Sequence, residues 1–484
     1  MIRKIIFSFG LGLMMIVFGF LLHNIDMQSF LIQFIKNKLD VSLDEHFRSI
    51  GFSYLSTFLL FSGVVTFLYF LVLKNKFTEF HFYVASFCLL VFHYCCYLFV
   101  NARNYPVYDD QGAILEFLLN YSNTSTVNEK ICLIIAPYNE SIIIFPKLFV
   151  LGWLKIAGSI NFRTLILFNG LLLLFLQLFL FAKMMTKETS RFLFFVLSLF
   201  IFQFQFYDDA FWATSGLCYY GSFIFTALAF YFLHRGKNFP ALTFAIVSAF
   251  TFGNGWGSFF ICIAFLLLEK RFRELMMWIP AFILVSIIFF MLRLDFHPLS
   301  TANWNLLDNI LFILIFIGSA FQFFYSPVIP IIAGTFIISA FIFLAIKKQY
   351  KTYPVHFLLL AFIIFSAIAA SPLRSGMEPN GLYGLHVRYG IFSILAFTLT
   401  VYLLSAYNGF EKKYKNYLIA SAFIYNALTG IFFYPEAEIR REKIQSMMVG
   451  IKENKFDVGY STFREDDVEI LLKESIRKGI YKPH

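Results

Sequence analysis

Apolar runs of roughly twenty residues alternate with short basic connectors along most of this chain. That is the length a helix needs to cross a bilayer at about 1.5 Å per residue. Clear examples are Ile5–Leu22, Tyr54–Leu73, Phe80–Val100, Leu165–Phe181 and Val328–Ile346. The connectors carry Arg3/Lys4, Lys74/Lys76, Lys183/Lys187/Arg191, His234/Arg235/Lys237, Lys270/Arg271/Arg273, Lys347/Lys348/Lys351 and Lys412/Lys413/Lys415. Positive charge collects on the cytoplasmic side of membrane proteins. The loops 24–50, 101–161, 206–215, 253–256, 293–326 and 371–388, and the tail after Tyr434, then face outward.

Parity constrains this assignment, because outer and inner loops must be joined by an odd number of crossings. Between Glu140 and Lys183 lie two apolar runs. The first, Ile142–Ile156, is short and carries Pro146, Lys147 and Lys155, so it reads as an interfacial helix. Leu165–Phe181 is then the span. Between Arg293 and Lys347, Ile310–Phe324 reads as interfacial or re-entrant and Val328–Ile346 as the crossing. The prediction is an all-α polytopic membrane protein with about 13 transmembrane helices and outer-face interfacial helices. Its N-terminus is cytoplasmic and its C-terminus extracytoplasmic. Two short runs, Phe239–Phe252 and Ser258–Leu268, flank Gly253-Asn254-Gly255-Trp256-Gly257. This is either a tight outer turn with an interfacial Trp or a helix break inside the membrane. Three regions follow: two N-terminal spans in 1–79, a transmembrane core in 80–434 and a polar tail in 435–484. The tail has an apolar stripe at helical spacing through Val468, Ile470, Leu471, Leu472, Ile476 and Ile480, and reads as a small cap or surface helix.

Composition agrees. Of 484 residues, 59% are hydrophobic and only 14% charged, and mean hydropathy is +0.73; soluble domains carry about 25% charge. The net charge of +10 belongs to the membrane part, because the tail holds ten basic and ten acidic residues. The excess therefore reports orientation and not a nucleic-acid partner. Ile5–Leu22 resembles a signal peptide but is followed by no small-residue cleavage site, so it reads as a span. None of the six cysteines has metal-ligand spacing with a nearby His. A Cys132–Cys218 disulfide is one option on the outer face. The spans are nearly free of ionisable residues apart from His93 and His356, which argues against an ion-coupled transporter. No phosphate-cradling Gly loop faces the cytoplasm.

The outer loops collect the polar residues with chemical potential. Asp109 and Asp110 follow Phe80–Val100 directly. Neighbouring carboxylates raise each other's pKa and can serve as a base or a cation ligand, or Asp110 can cap a helix over Gly112–Tyr121. In Asn139-Glu140-Ser141, Asn139 or Ser141 can cap the interfacial helix and Glu140 can sit in its first turn. Lys147 at headgroup depth either meets a lipid phosphate or snorkels. Asp208 and Asp209 form a second acidic pair beside Trp212, read either as part of a site or as a solvated loop. Arg374, His386, Arg388 and Tyr389 lie in or beside the last outer loop. An Arg there can fork onto a phosphate or pair with Glu378. Arg293, Asp295 and His297 form a weaker cluster.

This layout resembles the GT-C superfamily of integral-membrane glycosyltransferases. In that family a span leads into a long first outer loop with an acidic residue or pair near its start, followed by interfacial helices and the next span. Phe80–Val100, Asp109-Asp110, Glu116–Tyr121 with Ser141–Leu154, and Leu165–Phe181 match those parts. Asn139-Glu140 with Phe145-Pro146-Lys147-Leu148, then Asn254-Gly255-Trp256 and Arg388-Tyr389, is similar to a group of polytopic bacterial proteins of this plan. Serotype-converting O-antigen glucosyltransferases share it.

The resemblance implies an enzyme of the bacterial inner membrane. It would move a sugar, with inversion, from a polyprenyl-phosphate donor to a glycan acceptor such as O-antigen on the extracytoplasmic face. Asp109 or Asp110 would be the base, with Asp109 preferred because Asp110 is the better N-cap. Arg388, Arg374 or Lys147 would hold the donor phosphate. Glu140, Asp208, Asp209, His386 and Tyr389 would form an acceptor or secondary site. No cofactor or metal is required, though two acidic pairs leave room for a divalent cation. The rival readings are a polysaccharide polymerase or O-antigen ligase, a lipid-linked glycan flippase, and a structural partner in envelope assembly.

Overall fold

The structure, a computed structural model, describes residues 2–22, 45–74, 78–139, 141–187, 190–293, 303–323, 326–408, 410–453 and 465–483. Its principal helices, in chain order, begin with α1 (Ile2–Leu22), α2 (Glu45–Leu73) and α3 (Glu79–Asn101). A π-helical turn, Asp110–Glu116, runs into α4 (Phe117–Asn123), followed by α5 (Val127–Ile135) and α6 (Ile144–Ala157). Then come α7 (Phe162–Phe181), α8 (Arg191–Ile201), α9 (Ala213–His234), α10 (Asn238–Ala249), α11 (Gly257–Leu268) and α12 (Phe272–Met291). The chain continues through α13 (Leu306–Gly318), α14 (Val328–Ile346), α15 (Pro354–Arg374), α16 (Gly390–Asn408), α17 (Phe410–Lys452) and α18 (Glu465–Arg477). No strand occurs among the described residues.

Nine of the described helices are long and apolar enough to cross a membrane. The protein is an all-α, multi-pass membrane protein. The other four expected spans fall on shorter apolar helices, Leu11–Leu21, Arg191–Ile201, Asn238–Ala249 and Gly253–Leu268. Of these, Arg191–Ile201 and Asn238–Ala249 have eleven and twelve residues and reach only about 18 Å against a hydrocarbon core of about 30 Å, so length alone does not carry those two across. The segment expected to be interfacial or re-entrant is also short, over Leu306–Phe321, and is followed by the long α14.

Contacts divide the chain into two units. The first comprises Met1–Asn101, Gln177–Tyr207 and Leu404–Arg440. Here α1 packs along α2 through small residues, with the Ser56 hydroxyl donating to the Gly19 carbonyl at 2.8 Å. A Cβ at Gly63 would lie 2.6 Å from the Ile16 side chain, so glycine sets the approach of the two helices. In α8 every residue from Phe192 to Ile201 is buried. The Asn426 amide on α17 donates to the carbonyls of Leu199 and Phe202 at 2.8 and 2.9 Å, which satisfies the end of α8.

The second unit comprises Ala102–Leu176, Asp208–Leu403 and Arg441–His484. The largely buried α9 packs on α10 and α15, α13 packs on α14, and α11 packs on α12. At one end the basic connectors meet. Arg271 donates twice to the Leu233 carbonyl at 3.1 Å and pairs with Glu274, and Lys351 lies 4.0 Å from Glu269.

The tail folds onto the loop that follows α3. Of the stripe residues, Val468, Leu471, Leu472 and Ile480 are buried and Ile470 is exposed, and α18 packs on the π-helical turn. Beyond it, Ile160 N–H donates to Ile480 O at 2.7 Å, the Tyr481 hydroxyl to Asn104 O at 2.7 Å and the Asn104 amide to Lys482 O at 2.6 Å. Asn104 Oδ1 also accepts from Phe162 N–H at 2.9 Å. The tail thus ties together both ends of the loop 101–161.

Candidate functional site

The two adjacent aspartates diverge. Asp110 is fully buried. Its Oδ1 accepts from Thr214 N–H at 2.7 Å and from the Thr214 hydroxyl at 2.6 Å, and its Oδ2 accepts from Val107 N–H at 3.3 Å. It does act as a cap, but for the first turn of α9, a hundred residues away, and not for the helix it begins. Burial pushes its carboxyl up to about 7, against the pull of the Thr214 and Val107 hydrogen bonds. Asp109 instead faces a cavity. Its Oδ1 accepts from the Tyr138 hydroxyl at 3.0 Å and the Asn139 amide at 3.4 Å. It occupies the N-cap position of the π-helical turn without making a side-chain cap. The Tyr138 phenol, buried beside this carboxylate, is driven well above its usual value by burial and then by Asp109.

Lys147 is spent elsewhere. It is buried on α6, and its Nζ donates to Leu133 O at 2.9 Å and Ala136 O at 2.8 Å while lying over the Phe117 ring. It closes the last turn of α5, a place where a cation complements orphan carbonyls. Burial lowers its ammonium to about 8. Lys147 does not line the cavity. Neither Asn139 nor Ser141 caps α6. Tyr138 and Ser141 exchange backbone hydrogen bonds of 2.8 and 3.0 Å, and both Asn139 and Ser141 line the cavity. Glu140, Asp295 and His297 lie outside the described residues.

The second acidic pair is not a solvated loop. Asp208 is 7% exposed and lines the cavity. Asp209 is fully buried, and its Oδ1 accepts from Ser215 at 2.8 Å. Burial raises the Asp209 carboxyl well above the carboxylate range; Asp208 adds to this, while Ser215 and Arg388 oppose it. The pair therefore repeats the first: one aspartate faces the cavity and its neighbour is turned into the protein.

Arg374, His386, Arg388 and Tyr389 all line the same cavity. The Arg388 guanidinium lies over the rings of Tyr383 and Tyr389, 4.9 and 5.1 Å from their centroids. It hydrogen-bonds to the Tyr383 phenol and, at 3.3 Å, to the Tyr389 phenol. Its buried Nε has no hydrogen-bond partner among the described residues. Burial and the neighbouring Arg388 lower His386 to about 4, with Asp208 opposing, so the imidazole is neutral at pH 7.

The cavity has a volume of about 760 Å³. Residues from five of the loops expected on one face reach it: Asp109 and Asn139, Asp208 and Trp212, Asn254 and Trp256, Arg293, and Arg374 with His386. A Cβ at Gly255 would fall 1.9 Å from Ser248 O, so only glycine lets this turn sit on α10 and present Asn254. The Asn254 side chain is fixed by Ser222, which donates to its Oδ1 at 3.0 Å. One polar contributor, Ser366, carried no signal in the sequence, and Tyr108 was visible only as part of the polar loop around Asp109. Tyr138 was visible only as part of a polar loop, and Arg293 only in a weak cluster. Cys132 and Cys218 are free thiols, one exposed and one buried. Among the described residues no three His, Cys, Asp or Glu side chains are grouped as a metal site.

One side of this chemistry can accept a proton and the other can hold an anion. Asp109 and Asp208 supply carboxylates, while Arg293, Arg374 and Arg388 supply guanidinium groups suited to phosphate oxygens. No protein-family model, curated protein or solved structure matches the chain.

Proposed function

We propose that the protein is a membrane glycosyltransferase of GT-C type. It moves a sugar from a polyprenyl-phosphate donor to a glycan acceptor, such as O-antigen, on the extracytoplasmic face of a bacterial inner membrane. The observation that carries this reading is that Asp109 shares one cavity with Arg293, Arg374 and Arg388. Asp109 takes the proton of the acceptor hydroxyl as that oxygen bonds to the anomeric carbon. The bond from that carbon to the phosphate oxygen breaks, its electron pair stays on the phosphate, and Arg388 and Arg374 stabilise the charge. A single displacement inverts the anomeric centre. Tyr138 and Asn139 orient the Asp109 carboxylate. Asp110 and Lys147, expected among the working residues, act as supports in this scheme. The GT-C plan of about 13 crossings includes the short helices, at a cost in hydrophobic mismatch, with the N-terminus cytoplasmic and the C-terminus outside.

The test uses membranes containing Asp109→Asn and labelled polyprenyl-phosphate sugar. Loss of a general base lowers transfer by about 10²-fold or more. Full transfer by Asp109→Asn overturns the reading. If Arg374→Gln and Arg388→Gln are then inactive, the polymerase or ligase reading takes its place.

A further inference from the structure

Three observations meet beside Asp109. First, Trp212 is 7% exposed and lines the cavity, yet its indole Nε1 is buried with no hydrogen-bond partner among the described residues. A buried indole N–H normally finds an acceptor. Second, Tyr108 lies against Trp212, with ring centroids 5.0 Å apart and planes tilted by 56°, so the two rings form one aromatic corner of the wall. Third, Tyr108 and Asn139 both hold left-handed backbone, φ 48° each. Neither is glycine, both line the cavity, and both adjoin the Asp109 carboxylate. Backbone of this kind costs about 1–3 kcal/mol per residue and concentrates at ligand sites.

The buried Asp110 explains how the corner is held. A single carboxylate binds Val107 N–H on one side and Thr214 on the other. It thereby pins the segment carrying Tyr108 and Asp109 against the start of α9, next to Trp212. An aromatic face, an unpaired indole donor and carboxylate acceptors are the complement of a neutral polyhydroxylated ring. Its C–H face packs on an aromatic ring, and its hydroxyls both accept and donate. The arginines of the same cavity offer nothing of this kind, because they only donate.

The geometry points to Tyr108, Trp212 and Asp208 as a pyranose-binding subsite that selects the sugar of the donor separately from its phosphate. The indole N–H of Trp212 donates to a ring hydroxyl and Asp208 accepts from another. This rests on the glycosyl-transfer reading for the source of the sugar. It goes further in assigning the aromatic corner with Asp208 to the sugar and the arginines of the same cavity to the phosphate.

The experiment measures binding of two lipids to the full chain in nanodiscs: polyprenyl-phosphate glucose and sugar-free polyprenyl phosphate. Wild-type protein is expected to bind the glucosylated lipid more tightly. Trp212→Phe, which removes the N–H and keeps a ring, should weaken the glucosylated lipid about tenfold and leave the sugar-free lipid unchanged. Trp212→Leu should weaken it further, its unchanged hold on the sugar-free lipid serving as the folding control. Arg388→Gln should weaken both. Equal wild-type affinity for the two lipids overturns the subsite and leaves the phosphate reading standing. So does a Trp212 variant that affects both lipids alike or neither. If wild-type protein binds neither lipid, both the subsite and the glycosyl-transfer reading fall.

Discussion

Asp110→Asn is expected to leave the protein folded, because an amide oxygen can still accept from Thr214 N–H, while Asp110→Ala strands the Thr214 and Val107 donors and costs about 1–3 kcal/mol. The carboxyl also makes stability depend on pH. Its folded pKa, about 7, lies above the unfolded value of about 3.9, so between those values the folded state binds more protons. Its contribution to stability is full below about pH 4 and is lost as pH rises through about 7. Unfolding midpoints of wild-type protein and Asp110→Asn, followed from pH 4 to pH 8, should therefore converge in acid and diverge toward neutrality in the variant's favour. A constant difference across that range would show that Asp110 does not titrate there. Asp109 and Asp110 were equally visible as an acidic pair, with capping favoured for Asp110. That it caps α9 depends on where Thr214 lies, which no local pattern encodes. Lys147 shows the same limit. A lysine on an interfacial run suits a lipid phosphate, but folding of the loop supplies Leu133 and Ala136 carbonyls first.

Among elements, the tail carries the clearest consequence. It was legible as a helix with an apolar stripe, because the period of Val468, Leu471, Leu472 and Ile476 is local. What the stripe covers was not legible. In the structure α18 packs on the π-helical turn, and residues 480–482 hold Asn104 and Ile160. Removing residues 480–484 should raise amide hydrogen exchange in 103–118 several-fold and lower transfer activity, with exchange in 326–346 unchanged. Unchanged exchange in 103–118 would mean that the tail does not order the loop. The interfacial reading of 141–154 placed α6 within a few residues, and the Gly-Asn-Gly-Trp punctuation lies where α10 stops and α11 starts. Crossing number was less secure, because hydropathy registers apolar composition whether a helix has twelve residues or twenty.

Over the whole molecule, charge and chemistry separate. In the second unit the connectors of Arg271, Leu233 and Lys351 gather at one end, while five loops without such clusters converge on the cavity. The orientation is testable with Cys132, an exposed thiol in the loop 101–161. A membrane-impermeant maleimide should label it in cells with a permeable outer membrane and an intact inner membrane, and labelling should vanish in Cys132→Ser. Labelling only after the inner membrane is opened would reverse the proposed topology. Hydropathy and the distribution of lysine and arginine suffice for an all-α membrane protein and pointed to five of the loops that meet at the cavity. Those properties sum over many residues, and the bilayer imposes them element by element. Which aspartate faces the cavity, which lysine is consumed by carbonyls, and which tryptophan brings an unpartnered N–H to the cavity were decided only by tertiary packing. Each depends on one or two contacts between residues roughly ten to a hundred positions apart.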